Sequence, residues 1–499
     1  MNRFIGVLFS VVLPGSALAT EPALTIYNQG FAVVREKVQL KLDKGVNSIS
    51  YADTTAHVEP DSVIFRDPTG KHEFRILEQN YRSDPVSEGL LLNLYEGKVI
   101  EFQVHEKEGV QKIQGKIIRS GYVPHSAGLS TYGPQYYQTQ MANVSQSQPI
   151  IEMDGKLRFG LPGTPVFPAL TDDSILKPTL SWLIETNQAG ALVAELAYVT
   201  GGMKWEATYN ILAPPKGSVL DLIGWVTVDN QSGKRFDEAK VKLIAGDVNK
   251  IQRSSPSSGG SGRMDFDSLS RTAPVVTEKT FDEYHMYTLN RSMTLCDRET
   301  KQVEFVRAGN IQSKELYVYN GAKIDWNRYG CWDSEAIRQD RNYGTQSNPK
   351  IWVMREFMNS SNNGLGIPLP KGRARFYRRD DDGLLEFTGE NVIDHTPQDE
   401  TVRLYTGNAF DLVGERRRTD YQIDTSKRWL DESFEIKLRN HKKNETEVRV
   451  VENLYRWINW KIMEKSADFK KTDSQTIEFR VKVPPAGEKV LTYSVHYSW

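Results

Sequence analysis

Apolar and polar residues alternate with a period of two along most of the chain, and this alternation predicts strands. In Ser433-Phe434-Glu435-Ile436-Lys437-Leu438-Arg439 the apolar side chains share one face and the polar ones the other, and Thr476-Ile477-Glu478-Phe479-Arg480-Val481-Lys482-Val483 repeats the pattern. Turn formers separate the runs: Asn440-His441-Lys442-Lys443-Asn444, then Pro484-Pro485-Ala486-Gly487. The last ~70 residues therefore predict a meander of about four strands, compatible with an immunoglobulin-like sandwich.

The N-terminal part reads in the same way. Leu24-Thr25-Ile26-Tyr27 and Phe31-Ala32-Val33-Val34 are split by Asn28-Gln29-Gly30, and Val99–Val104 and Ile113–Ile118 flank the polar turn Glu106-Lys107-Glu108-Gly109, a hairpin signature. Leu180–Thr200 is a further apolar-rich run that ends at Gly201-Gly202, where a domain boundary is expected. One short helix is expected over Ser174–Glu185. The fold class is accordingly all-β: several antiparallel β-sandwich domains, an N-terminal one over residues 20–200 and one or more over 201–499, with an immunoglobulin-like C-terminal part.

Two stretches break the alternation. Residues 251–280 contain Arg253-Ser254-Ser255-Pro256-Ser257-Ser258-Gly259-Gly260-Ser261-Gly262-Arg263, which has no apolar side chain to bury. Nothing offsets its ordering entropy, so a disordered loop inside a β domain is predicted. The segment Asn327–Lys350, rich in Asn, Arg and Tyr, predicts a long loop tethered at Cys331.

The first residues carry a different pattern. Arg3 precedes an apolar stretch, Phe4–Leu13, which is broken by Pro14-Gly15-Ser16 and followed by Ala17-Leu18-Ala19. This is the layout of a cleaved secretory signal over residues 1–19, and the stretch is shorter than the roughly 20 apolar residues a membrane span needs. No second long apolar run follows, so no transmembrane segment is expected after cleavage. A periplasmic or extracellular location is expected. Neither cysteine is near the cleavage site, so no lipid anchor is expected there.

Composition narrows the partners. Removing Arg3 with the signal takes Lys+Arg from 63 to 62 against 64 Asp+Glu, a formal charge of −2. That balance argues against nucleic acid or an anionic membrane as partner. Cys296 and Cys331, the two cysteines of the chain, are expected to pair in an oxidising compartment. A bridge closing that loop would contribute about 3–4 kcal/mol on the chain-entropy model; two buried free thiols are the alternative.

Between residues 201 and 250 a set of spaced motifs stands out. Gly201-Gly202-Met203-Lys204-Trp205-Glu206-Ala207-Thr208-Tyr209 is followed by Gly224-Trp225-Val226-Thr227-Val228-Asp229-Asn230-Gln231-Ser232-Gly233 and Ala245-Gly246-Asp247-Val248-Asn249. Glu283-Tyr284-His285-Met286-Tyr287-Thr288-Leu289 comes next. Then follow Gly366-Ile367-Pro368-Leu369-Pro370-Lys371-Gly372, Gly389-Glu390 and His395-Thr396-Pro397. Over roughly residues 200–499 the chain resembles the bacterial family called domain of unknown function 4139, related to the mucoidy-inhibitor-like proteins. The resemblance implies a β-rich exported protein. It brings no established activity and so no catalytic residues. The chain departs from the mucoidy-inhibitor-like pattern in lacking sustained heptads for a coiled coil.

The residues supply few catalytic signatures. Gly-x-Ser-x-Gly and the phosphate-cradling Gly-rich loop are missing, and His105-Glu106 has Gly109 where a zinc helix needs its second His. Eight histidines are scattered without ligand spacing. His395 has Glu390, Asp394, Asp399 and Glu400 close by, groups that suit a metal or acid–base site; in the alternative reading it hydrogen-bonds within a turn stopped by Thr396-Pro397. Arg373, Arg375, Arg378 and Arg379, leading into Asp380-Asp381-Asp382-Gly383, read either as a polyanion site or as a strand with a solvated face and an Asp-rich turn, and Glu415-Arg416-Arg417-Arg418 reads likewise. Tyr132, Tyr136 and Tyr137, and Trp326, Tyr329 and Trp332, are aromatics on polar segments that suit stacking on sugars or a partner, or plugging a sandwich end. The C-terminal alternation Leu491, Tyr493, Val495, Tyr497, Trp499 is similar to the last strand of an outer-membrane barrel, but strands with charged opposite faces favour a soluble sandwich. The leading expectation is a non-catalytic envelope protein that binds another envelope protein or a surface glycan and needs no cofactor. The alternative is a periplasmic hydrolase or metal-dependent enzyme using His395, Glu390 and Glu400.

Overall fold

The computed structural model describes residues 22–499 except 84, 107–108, 122–147, 171–173, 215–216, 247–275 and 282–283. The expected signal, Tyr136 and Tyr137, and most of the expected disordered loop lie outside the described residues. The chain is all-β, built from several sheets with mainly antiparallel pairings, none of them closed into a barrel among the described residues. It divides into two compact units: among the described residues the first holds 22–206, 227–246 and 276–302, the second 207–226 and 303–499. Each unit is thus assembled from separated stretches, because three long strands contribute residues to both.

In the first unit, β1 (Ala23–Tyr27) and β2 (Phe31–Leu42) form the hairpin read from the sequence, with Gly30 at φ +88° in its turn and Tyr27 stacked on Phe31 at 4.3 Å. A three-stranded sheet sets β3 (Gly45–Ala52) and β4 (Phe74–Arg82) on either side of a central strand. The hairpin of β5 (Val99–Glu106) and β6 (Gly109–Arg119) is also as expected, and α1 (Glu88–Leu94), capped by Ser87, packs Leu92 with Phe102, Ile117 and Ile151.

The central strand of the small sheet is β7 (Thr179–Thr186), which occupies the segment where a helix was expected. Leu180, Trp182 and Ile184 are buried at a period of two, and ladders on both edges satisfy the backbone. Trp182 stacks on Phe65 at 4.3 Å and donates its Nε1–H to Gln79. Partners on both sides thus override a local pattern that also suited a helix. Strand β8 (Gly190–Gly201) pairs the whole length of β2.

The strands that contribute to both units are β9 (Met203–Ala213), β10 (Val219–Asn230) and, further on, the long strand Glu299–Asn320. Strand β11 (Phe236–Ala245) lies parallel to β1. The end of the stretch 251–280 expected to be disordered is a strand instead: β12 (Val276–Phe281) pairs in register with β13 (Tyr284–Leu289), so ladder hydrogen bonds hold residues 276–280.

In the second unit the longer strands that remain are β14 (Glu299–Asn320), β15 (Lys350–Met358), β16 (Gly372–Arg379), β17 (Leu385–Ile393), β18 (Thr401–Asp424), β19 (Trp429–Asn440), β20 (Thr446–Asn453), β21 (Trp460–Lys465), β22 (Thr476–Val483) and β23 (Gly487–Ser498). The sheet order is β17-β16-β9-β10-β14-β15-β18-β19-β23-β21, with β20 joined in parallel to β14 and antiparallel to β22. The alternation read at 433–439 and 476–483 is the burial pattern of β19 and β22. Phe434, Ile436 and Leu438 with Leu491, Tyr493, Val495 and Tyr497 face Val448, Val450, Phe479 and Val481 across one core. The aromatic face of β23 is spent on this core. Between β14 and β15 the chain forms two short helices, α2 (Trp326–Tyr329) and α3 (Ser334–Gln339), the latter capped by Asp333, in place of the long loop expected.

The expected disulfide is not formed. Cys296 and Cys331 are both free thiols, Cys331 exposed, and they belong to different units. A bridge requires Cα atoms within about 7 Å, a condition that pairing by compartment does not test.

Candidate functional site

Two cavities in the second unit are lined by charge. The larger, about 220 Å³, includes Arg416, Glu432, Arg456 and Tyr493 in its lining. Because side chains alternate along β18, Arg417 faces solvent and pairs with Glu435 at 3.0 Å, whereas Arg416 and Arg418 turn inward. Arg416 Nε donates to both oxygens of Glu452 at 3.0 and 2.9 Å, and the Tyr493 hydroxyl donates to the same carboxylate at 2.5 Å. Burial works to lower the Arg416 pKa, but Glu452 and Tyr493 outweigh it and hold the value above the ordinary one. Burial drives the Tyr493 hydroxyl well up, and Glu452 pushes it in the same direction.

Glu432 receives Arg418 at 3.0 Å and Arg456 at 2.9 Å. Arg456 spends its other donors on the carbonyls of Ile337, Asp340 and Tyr343 at 2.7, 2.6 and 3.1 Å, and Arg416 donates to that of Gly344 at 2.7 Å. Helix α3 and the turn that follows it therefore hang on two arginines, not on Cys331. With these donors spent on carboxylates and carbonyls, the larger cavity is a structural lock. The run 415–418, expected as a solvated face, is half turned into the protein.

The smaller cavity, about 170 Å³, is lined by residues of β9, β10, β14, β15, β16, β17 and β18, among them Glu315, Arg355, Arg378, Thr388, Thr406 and Asn408. Glu315 and Arg355 are direct cross-strand partners of β14 and β15. Arg355 Nη2 is 2.5 Å from Glu315 Oε2, and Arg378 Nη2 reaches the same oxygen at 3.8 Å. The Tyr317 hydroxyl donates to Glu315 Oε1, and Lys442 Nζ donates to that hydroxyl at 2.5 Å. Burial works to raise the Glu315 pKa, but Tyr317, Arg355, Arg378 and Lys442 outweigh it and hold the carboxyl below its ordinary range. Arg355 is pulled down by burial, with Glu315 opposing.

Two β-bulges meet at this cavity. In β17 the register against β16 shifts at Thr388, and in β18 the register against β15 shifts at Thr406. Both threonines line the cavity, as does Gly407, which adopts φ +145° at its bulge. The strands approach closely: a Cβ on Gly389 would lie 2.7 Å from the Thr406 carbonyl oxygen, and the Asn391 amide donates to the carbonyl of Tyr405 at 3.4 Å. Bulges re-aim side chains and are over-represented next to functional sites.

Residues 194–499 match the model of a family described as domain of unknown function (DUF4139). The chain belongs to the DUF4139 family. Both cavities lie wholly within the DUF4139 region. No curated protein matches the chain.

Arg378 and Arg416 apart, the candidate site residues singled out from the sequence fall elsewhere. His395 accepts the Lys371 N–H on Nδ1 at 3.2 Å, next to the two-way bridge of Leu369 and Thr396. Glu390 sits across from Arg375 at 3.6 Å, and the Glu400 carbonyl accepts the Asn359 N–H. Among the described residues no three His, Cys, Asp or Glu side chains are grouped to hold a metal. Trp332 is exposed and packs edge-on against Tyr329 at 5.1 Å; Trp326 opens α2. Of the arginines at 373–379, Arg378 reaches the smaller cavity. Glu315, Arg355, Thr388 and Thr406 were not singled out. The one signal for Arg355 in the sequence is a charge directly after the apolar run Ile351-Trp352-Val353-Met354.

Proposed function

We propose that this DUF4139 protein is exported to the bacterial envelope and acts there as a non-catalytic binding protein for an acidic ligand, carried by an envelope protein or a surface glycan. The observation that carries this reading is the charge of the smaller cavity. Arg355 and Arg378 converge on a single carboxylate oxygen of Glu315, so the lining keeps an uncompensated positive charge. Lys442 adds a further cation behind Tyr317, partly offset by Asp411. Arg355 is buried and committed to Glu315, whereas the Arg378 side chain is 42% exposed and holds Glu315 only loosely. Among the described residues Arg378 makes no closer polar contact, so its guanidinium retains donors for a ligand. The layout at Phe4–Ala19 supports export.

The test is an array carrying surface glycans and envelope-protein peptides, probed in parallel with residues 20–499 and with its Arg378→Ala variant. The reading predicts binding to acidic spots that the variant loses. Binding indifferent to the substitution, or turnover of an arrayed compound, contradicts it.

A further inference from the structure

We infer that the smaller cavity takes the carboxylate of an acidic sugar, with the ring held at the two bulges; this rests on the binding role proposed above and names the ligand class for that same site. Three features lead to it. The first is the Arg378 guanidinium, a planar fork that matches a planar carboxylate in two parallel hydrogen bonds, lining a cavity whose one acidic lining residue among the described residues, Glu315, is already shared with Arg355.

The second is the polar part of the lining at the two bulges. Thr388 Oγ1 donates to the Phe376 carbonyl at 3.4 Å and Thr406 Oγ1 to the Val353 carbonyl at 3.2 Å. With their protons engaged, both hydroxyl oxygens present lone pairs to a ligand. Asn408, exposed beside them, offers an amide that both donates and accepts. Hydroxyl acceptors set around a cation suit a polyhydroxylated ring; the aliphatic stem of an Asp or Glu side chain would leave them unmatched.

The third is the rim. Tyr377 lines the cavity and meets Phe387 edge-on at 5.8 Å, and Phe387 is 56% exposed. An exposed aromatic edge strand costs solubility unless something covers it, and the apolar face of a sugar ring is a fitting cover. The size of the cavity, about 170 Å³, admits one ring-sized group and excludes a drug-sized ligand.

The test is isothermal titration of residues 20–499 with trigalacturonate, with maltotriose as the neutral sugar, with triglutamate as the acidic peptide, and with inorganic phosphate. The inference predicts heat with trigalacturonate only, with affinity falling as salt rises. Arg378→Ala weakens it about tenfold or more, as the loss of a charge-assisted pair implies, and Arg378→Lys restores only part because the fork is lost. Unchanged melting of the Arg378 variants shows that the fold is kept, and Phe387→Ala, altered at an exposed position, provides a second variant with weakened binding. Binding of triglutamate without trigalacturonate overturns the sugar assignment and leaves the binding role standing. Equal binding of phosphate overturns it too, as that is bare anion attraction. Absence of heat with all four probes overturns both.

Discussion

Arg416 and Glu452 form an ion pair sealed inside the second unit, with Nε placed 3.0 and 2.9 Å from the two carboxylate oxygens and both side chains at 5% exposure or less. Removing one partner of such a pair leaves an uncompensated buried charge, which costs about 3–5 kcal/mol. Arg416→Ala and Glu452→Gln are each predicted to lower the unfolding free energy by that amount in chemical denaturation. A loss below about 1 kcal/mol, the level of surface pairs, would show the pair to be solvated.

The second arginine of the lock acts locally. Arg456 holds the carbonyls of Ile337, Asp340 and Tyr343. Arg456→Ala is predicted to speed hydrogen exchange in residues 334–345 more than in β19 or β23. Uniform acceleration throughout the second unit would mean that the segment is not held by this side chain.

Gly389 tests the meeting of the bulges. A methyl group there would fall 2.7 Å from the Thr406 carbonyl oxygen, and overpacking of this kind costs about 1–3 kcal/mol. Gly389→Ala is predicted to lower stability within that range and to abolish ligand binding, because β17 must shift from β18 at the cavity wall. Gly383→Ala, at a turn with open space around the same atom and φ +88°, shares the backbone strain but not the effect on binding.

In the first unit, the Asp67 carboxylate accepts the N–H groups of Thr69, His72 and Lys71 at 2.8, 3.0 and 3.1 Å. Led by the Thr69 bond, these hold its pKa down at about 2. A lowered folded-state pKa contributes stability that is complete above the ordinary carboxylate range and lost as pH falls through the folded value. Wild-type stability should therefore fall between about pH 4 and pH 2, with a flatter slope in Asp67→Asn. Equal slopes would remove Asp67 from the acid limb.

Thiol chemistry checks the unpaired cysteines. Native protein without reductant is predicted to react rapidly at exposed Cys331 and slowly at half-buried Cys296, and Cys331→Ser should leave the melting temperature unchanged. Two unreactive sulfurs that appear only after reduction would restore the bridge.

The strands were legible because burial on one face writes itself as alternation: Phe434, Ile436 and Leu438 could be assigned to one face from order alone. Segment 174–185 was misread because Leu180, Leu183 and Ile184 also suit a helical stripe, and only the ladders to β3 and β4 decide between them. Arg416 was misread because a charge between charges looks solvated, while its partner Glu452 lies on another strand. The cavity was invisible for the same reason on a larger scale. Glu315, Arg355, Arg378 and Thr406 come from four strands, and the shifts at Thr388 and Thr406 that bring them together depend on pairing registers that no local pattern records.

The measurement that tests the central claim most directly is a crystal of residues 20–499 soaked with trigalacturonate. The account predicts density for one carboxylate against the Arg378 guanidinium, with the ring against Thr388 and Thr406. Density for the sugar elsewhere, with this cavity empty, would contradict it.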